Sequence, residues 1–276
     1  MTESDLVAPS SRSALALRPF PFHGDGVTAI VSTRHGGVST GVYASLNLGD
    51  HVGDDPEAVL ENRRRLAAAL GVDRLTVADQ QHGARVAVIG AALAGRGHAG
   101  AADARAALPS TDAMVTDLPG VALATIVADC APVVLFDPAR RVAGVAHCGR
   151  QGAVLGVLPR TVETMRGRFG CRAEDLLAGI GPAIGADSYE IGDAEAAQVG
   201  AAFGAAGARV LLRPTRPGHV TFDLVAALRV QLRDAGIADR NVHAMGVDTR
   251  AATEDFFSDR AARPHGRFMA VTILTR

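Results

Sequence analysis

"ADCAPVVLFDPARRVAGVAHC", residues 128 to 148, contains two apolar β-type runs around Asp137-Pro138-Ala139-Arg140. Proline suits the second position of a β-turn, and runs this short and rich in valine read as strands. The stretch therefore predicts an antiparallel hairpin, with its turn centred between Pro138 and Ala139. Residues equidistant from a hairpin turn lie opposite each other, which sets Cys130 against His147. Opposed Cβ atoms are about 5 Å apart, close enough for both side chains to reach one metal ion. Cys148 stands one residue further along, so strand alternation sends it to the other face as a packing residue.

The surrounding sequence continues in the same style. Val27–Ser32, "RVAVIG" (85–90), "AMVT" (113–116), "VALATIVA" (121–128), "LLAGIG" (176–181) and "RFMAVTIL" (267–274) read as strands. "DDPEAVLENRRRLAAALG" (54–71) predicts a helix capped by Asp55, with Pro56 in the first turn and Gly71 at the exit. Val59, Arg63, Leu66 and Leu70 share one face of it. Arg63 thus sits inside an apolar stripe, either as a snorkelling stem or with a buried anionic partner. "GAVLGVLPRTVETMRGRFG" (152–170) and "DLVAALRVQLRDAG" (223–236) predict two more helices. Strands and helices mix without strict βαβ alternation, so the expected class is α+β, with sheet and helix in layers. Residues 1–18 read as a flexible tail and residues 19–276 as one domain.

Composition excludes several functions. The 276 residues are 48% hydrophobic, enough for a sizeable core. Net charge is −1, so no basic field draws the chain to nucleic acid or an anionic membrane. No apolar run approaches the roughly 20 residues of a membrane span, and the first residues lack a signal-peptide pattern. Three cysteines are too few for a disulfide scaffold and fit a reducing cytoplasm. All 28 basic residues are arginine, which excludes a Schiff-base or P-loop lysine.

Two ligands do not make a catalytic metal site. One cysteine and two histidines with an open position do, in the manner of zinc enzymes. Among nine histidines, His82 in "DQQHGARV", just before a strand, is the best third candidate, although a lone histidine near a strand is more often structural. A metal-free pair, with Cys130 as nucleophile and His147 as base, is the alternative.

Several long motifs occur in an order that resembles the YfiH/laccase-domain family. They are "STRHGGVSTGVYASLNLGDHVGDDPEAVLENRRRL", "QQHG", "TDAMVT", "ADCAPVVLFD", "GIGPAIGADSYEIG", "FDL" and "FFSDR…HGR". Members of that family have been labelled polyphenol oxidases, purine nucleoside phosphorylases and peptidoglycan editing factors. The resemblance implies a layered α/β sandwich similar to the cytotoxic necrotizing factor catalytic domain. It also implies one catalytic zinc held by His82, Cys130 and His147. The family's H-A-G-W-R-G is here His147-Cys148-Gly149-Arg150-Gln151-Gly152, and Asp248 and Asp259 also depart from its pattern. These changes surround the ligands without replacing them.

Three functions follow for comparison. In the first, a zinc-dependent enzyme acts on purine nucleosides, by phosphorolysis of adenosine, inosine or guanosine and by adenosine deamination. Its partners are a purine nucleoside and phosphate, with Arg34 and Arg63 as anion clamps and Asn47 and Gln81 as sugar or base contacts. Loop fixation is the competing role for Arg34 and Asn47. Asp129 serves either as a proton carrier near the metal or as a structural acceptor. The second function is a zinc amidase that edits misincorporated amino acids in peptidoglycan precursors. The third is a multicopper oxidase. That needs a histidine-rich trinuclear cluster, and this chain's histidines are scattered without a His-x-His pair.

Overall fold

The computed structural model describes residues 15–24 and 26–275. Two sheets face each other. The first has strand order β1-β2-β14-β6-β3, formed by Leu17–Pro19 (β1), Val27–Ser32 (β2), Phe268–Leu274 (β14), Ala122–Val127 (β6) and Leu75–Val77 (β3). The second has order β13-β9-β7-β8-β5-β4, formed by Val242–Ala244 (β13), Leu177–Ile180 (β9), Ala131–Asp137 (β7), Val142–Cys148 (β8), Ala113–Thr116 (β5) and Val86–Val88 (β4). A small third sheet joins Glu190–Gly192 (β10), Leu212–Pro214 (β11) and His219–Phe222 (β12). Most of the expected tail, residues 1–14, lies outside the described residues, but its end is a strand: β1 pairs antiparallel with β2.

Alternation along the central strands builds the layers. Val134 and Phe136 of β7, with Ala143 and Val145 of β8, pack against Val27, Leu123 and Phe268 of the first sheet. Their neighbours Val133, Leu135, Ala146 and Cys148 face the helices Val157–Phe169 (α4) and Leu224–Asp234 (α6). On the far side of the first sheet, Ala124, Met269 and Val271 pack on Leu66 and Ala67 of the helix Pro56–Ala69 (α1). The order is helix, sheet, sheet, helix, and the fold is α+β as expected. Strands buried on both faces read as unbroken apolar runs, which is how β6, β7 and β8 look in the sequence.

Local signals account for most boundaries. Asp55 caps α1 by accepting from the Glu57 N–H, Pro56 occupies its first turn, and Gly71 leaves it with φ +69°. The helix expected over 152–170 is instead two, Arg150–Leu155 (α3) and α4. They break at Gly156, whose φ of +75° only glycine adopts freely. Pro159 then falls in the first turn of α4, where its missing N–H costs nothing. Ala101–Ala107 (α2) lies within the Ala/Gly-rich stretch that carried little signal, and Asp193–Leu211 (α5) had no sequence prediction at all.

The hairpin forms, but its register differs. Pro132 pairs with His147 and Asp137 with Val142, so the turn centres between Ala139 and Arg140. Asp137 sets this: its Oδ1 accepts from the Ala139 and Arg140 N–H groups, and Arg141 adopts φ +54°, giving a four-residue connection. Cys130 is therefore displaced by two positions from the expected pairing. A two-residue slip preserves the face of every side chain, so Cys130 and His147 still meet.

Candidate metal and substrate site

Three separate devices bring His82, Cys130 and His147 together. His147 is the penultimate residue of β8 and faces the space between the sheets. Cys130 lies where the chain crosses from β6 in the first sheet to β7 in the second. His82 sits in the turn before β4 with φ +57°, a conformation uncommon for a side-chain-bearing residue. Their ligand atoms all lie within 4.8 Å of one another. The His82 and His147 rings meet edge to face, with centroids 4.7 Å apart. Gly149 completes the arrangement, because a Cβ there would stand 2.7 Å from Cys130 Sγ and 3.1 Å from His82 Cδ2. Only glycine leaves the space open.

Asp112, which was not among the residues expected at the site, holds the assembly. Its Oδ1 accepts from the His82 N–H at 2.9 Å and its Oδ2 from the Gly83 N–H at 2.7 Å and the Gln81 N–H at 3.2 Å. The same Oδ1 lies 2.9 Å from His147 Nδ1. One buried carboxylate thus stabilises the strained turn under His82 and orients the ring of His147. The available signal was "TDAMVT", an acid at the mouth of an apolar strand. A carboxylate bonded to the far nitrogen of an imidazole leaves the other nitrogen free as a ligand.

The electrostatics follow from this packing. Burial alone would raise the Cys130 thiol, but the adjacent imidazoles, His147 foremost, hold it below its ordinary range. Burial would lower His147, yet the Cys130 thiolate and the Asp112 hydrogen bond push it up. Asp112 is held below the usual carboxylate range by His147 and the turn N–H groups, against the effect of burial. Burial pushes the Cys148 thiol well above its ordinary value, consistent with an inert packing residue. A thiol drawn toward thiolate beside two imidazoles is the donor set of a closely held cation with a position to spare.

The cluster borders one cavity, and two of its members, His82 and Cys130, border a second as well. The first, of about 400 Å³, has apolar sides at Val77, Ile126 and Val127 and polar edges at Gln81, His51 and Arg105. The second, of about 370 Å³, is bounded by Arg150, Gln151, Tyr189 and the segment 259–267. His82, Ala128, Cys130 and Arg267 line both. Arg150 and Gln151, the departures from the family motif, line the second cavity.

The expected substrate contacts divide. Gln81 is exposed and lines the first cavity. Arg34 and Asn47 line neither, which corrects the expectation for both. Arg34 donates to the Ala44 and Thr253 carbonyls and stacks 4.3 Å over Phe257. Asn47 is fully buried. Its amide donates to the Gly49 carbonyl and Asp54, and its Oδ1 accepts from the Gly49 and Arg267 N–H groups. Both residues fix loops. Arg63 is only 1% exposed, so it does not snorkel. Its guanidinium donates to the Leu48, Gly97 and His98 carbonyls and to Asp50 at the base of the first cavity. Asp129 accepts from Thr249 Oγ1 and the Arg260 N–H, tying down loops beside the second cavity as a structural acceptor.

Residues 28–275 match the family described as multi-copper polyphenol oxidoreductase laccase. The chain belongs to this family. It is 43% identical to a purine nucleoside phosphorylase of Deinococcus radiodurans, over 89% of this chain and 88% of that one. It is 39% identical to a purine nucleoside phosphorylase of Mycobacterium tuberculosis, over 89% of this chain and 91% of that one. The crystal structure of the hypothetical protein YfiH of Bacillus licheniformis superposes with a TM-score of 0.86 at 32% identity, covering 90% of this chain and 93% of that one. Family membership therefore rests on fold and sequence over nearly the whole described chain. Within the family's laccase-domain fold, this member offers one His-Cys-His group able to hold a metal ion among the described residues.

Proposed function

We propose that this protein is a zinc-dependent purine nucleoside phosphorylase whose catalytic and metal-binding residues are His82, Cys130 and His147. The observation that carries this reading is the position of those three side chains on one cavity of mixed polar and apolar lining, with His82 and Cys130 also bordering a second, arginine-lined one. The names of the relatives point to the same substrates. One soft thiolate and two imidazoles suit zinc, which supplies Lewis-acid polarisation when bound.

The chain's own residues supply the rest. Val77, Ile126 and Val127 offer apolar surface for a purine ring, and the exposed Gln81 amide, whose Nε2 donates to Asp79, would turn to read its edge. Asp112 keeps His147 in one tautomer and holds the turn that presents His82. The first cavity, of about 400 Å³, is of a size for a nucleoside. No helix among the described residues is long and apolar enough to cross a membrane.

The test is release of hypoxanthine from inosine by the purified protein, with and without phosphate, alongside ammonia release from adenosine. Phosphate-dependent release of base supports the reading. Ammonia release adds deamination to the same site. Amino-acid release from a peptidoglycan fragment, without any base release, would replace the reading with amide editing.

A further inference from the structure

Arg34 and Arg63 are occupied elsewhere, and the first cavity keeps only Arg105 and Arg267 besides Arg63 among its arginines. The second cavity is richer in them. Four arginines line it, Arg150, Arg260, Arg263 and Arg267, against the carboxylates Asp129 and Asp259. Asp129 already accepts from Thr249 and the Arg260 backbone, and Asp259 pairs with Arg263 and His265. The other three guanidinium groups have no carboxylate within 4.0 Å among the described residues. Arg150 donates to the neutral Gln198 amide. Arg260 donates to the Glu190 carbonyl and lies 5.4 Å over the Tyr189 ring. Arg267 is half-buried and reaches only the His265 ring. Three guanidinium groups without a direct ion-pair partner therefore line one concave space with His82 and Cys130, where four arginines outnumber two carboxylates, and such forks bind tetrahedral oxyanions well.

We propose that this cavity is the phosphate subsite, taking inorganic phosphate on Arg150, Arg260 and Arg267 while the first cavity holds the nucleoside. The assignment rests on the phosphorolysis reading above. A phosphate oxygen in the second cavity would approach the ribose C1′ past the residues common to both cavities. The C1′–O bond forms as the C1′–N9 bond breaks. The electron pair leaves with the purine, and the proton shed by hydrogen phosphate ends on the base, giving ribose 1-phosphate and free purine. Arg267, which borders both cavities, is the residue placed to touch the phosphate at that crossing.

The test titrates inorganic phosphate, and separately adenosine 5′-monophosphate, into the purified protein by calorimetry. It compares wild type with Arg150→Ala/Arg260→Ala, Arg267→Met and Arg267→Lys. Melting curves confirm folding, and Arg267→Lys retains the charge if Arg267→Met does not fold. Phosphate binding should weaken at least tenfold in the double variant and in Arg267→Met. The KM for phosphate should rise in step, while the double variant's KM for inosine moves less than twofold. Unchanged phosphate binding in folded variants, or no phosphate binding by wild type, overturns the subsite. So does nucleotide binding much tighter than phosphate on the same arginines, because the anion would then belong to the nucleotide. Arginine-dependent phosphate binding with phosphate-independent base release would retain the subsite and overturn the phosphorolysis reading instead.

Discussion

Two polar centres border the first cavity, and they differ in what remains of their bonding capacity. At the base, Arg63 directs its donors to three backbone carbonyls and to Asp50. At the wall, His82, Cys130 and His147 point at one another, and Asp112 saturates only the far nitrogen of one imidazole. Both centres stand out in the sequence, one as an arginine in an apolar stripe and the other as a cysteine and histidine on strand ends. The saturated centre is a structural pin. The unsaturated one retains the lone pairs that chemistry needs.

Breaking the unsaturated centre should abolish activity without unfolding the chain. Cys130→Ala should lower base release by about a thousandfold or more while the melting midpoint moves little. Measurable phosphorolysis in that variant would remove the distinction. Breaking the pin should do the reverse. Arg63→Met takes one partner from Asp50 and strands the Leu48 and His98 carbonyls, so urea unfolding should show a loss of about 2–4 kcal/mol. A loss under about 1 kcal/mol would contradict the structural role.

The pin also has a pH signature through His98. Burial, then the nearby arginines, lowers its pKa to about 4, and its Nδ1 accepts from the Leu75 N–H, which a protonated ring cannot allow. The unfolded chain takes up that proton near 6.5, and the folded chain only near 4. The neutral-ring contribution is therefore fully present above about 6.5 and is lost as pH falls toward 4, by up to roughly 3 kcal/mol. His98→Asn should flatten that part of the pH–stability curve.

Smaller effects sharpen the comparison. Asp112→Asn should weaken metal retention about 10- to 100-fold in a chelator competition, because it loosens both imidazoles at once. Arg34→Met should cost about 1 kcal/mol in stability and leave the KM for nucleoside within twofold, as befits a loop clamp. A tenfold rise in that KM would restore Arg34 as a substrate contact.

Much of this was legible in the sequence for identifiable reasons. Period-two alternation separates Cys148 from His147, and the hairpin turn brings Cys130 toward His147 even though Asp137 shifts the register by two. Caps and glycines mark α1 and the end of α4. Asp112 was hidden because its role is carried by backbone N–H groups of a turn about thirty residues away, which no local pattern records. The same is true of the second cavity. Arg150 and the segment that carries Arg260 and Arg267 lie more than 100 residues apart in the chain and converge only in the fold. Helix α5, "DAEAAQVGAAFGAAGARVL", has too many small residues for a strong periodic signal. Arg34 and Asn47 misled because polar residues near glycine-rich loops look alike whether they bind a ligand or the loop itself.

The central claim is that His82, Cys130 and His147 form one metal site. Metal content of the purified wild type and of His82→Ala, measured by elemental analysis on the same preparations used for inosine phosphorolysis, tests it most directly. The wild type should carry close to one zinc per chain, and His82→Ala should lose both the zinc and the activity while keeping its melting midpoint, since the ring is exposed. A variant that keeps its metal and its turnover would contradict the assignment.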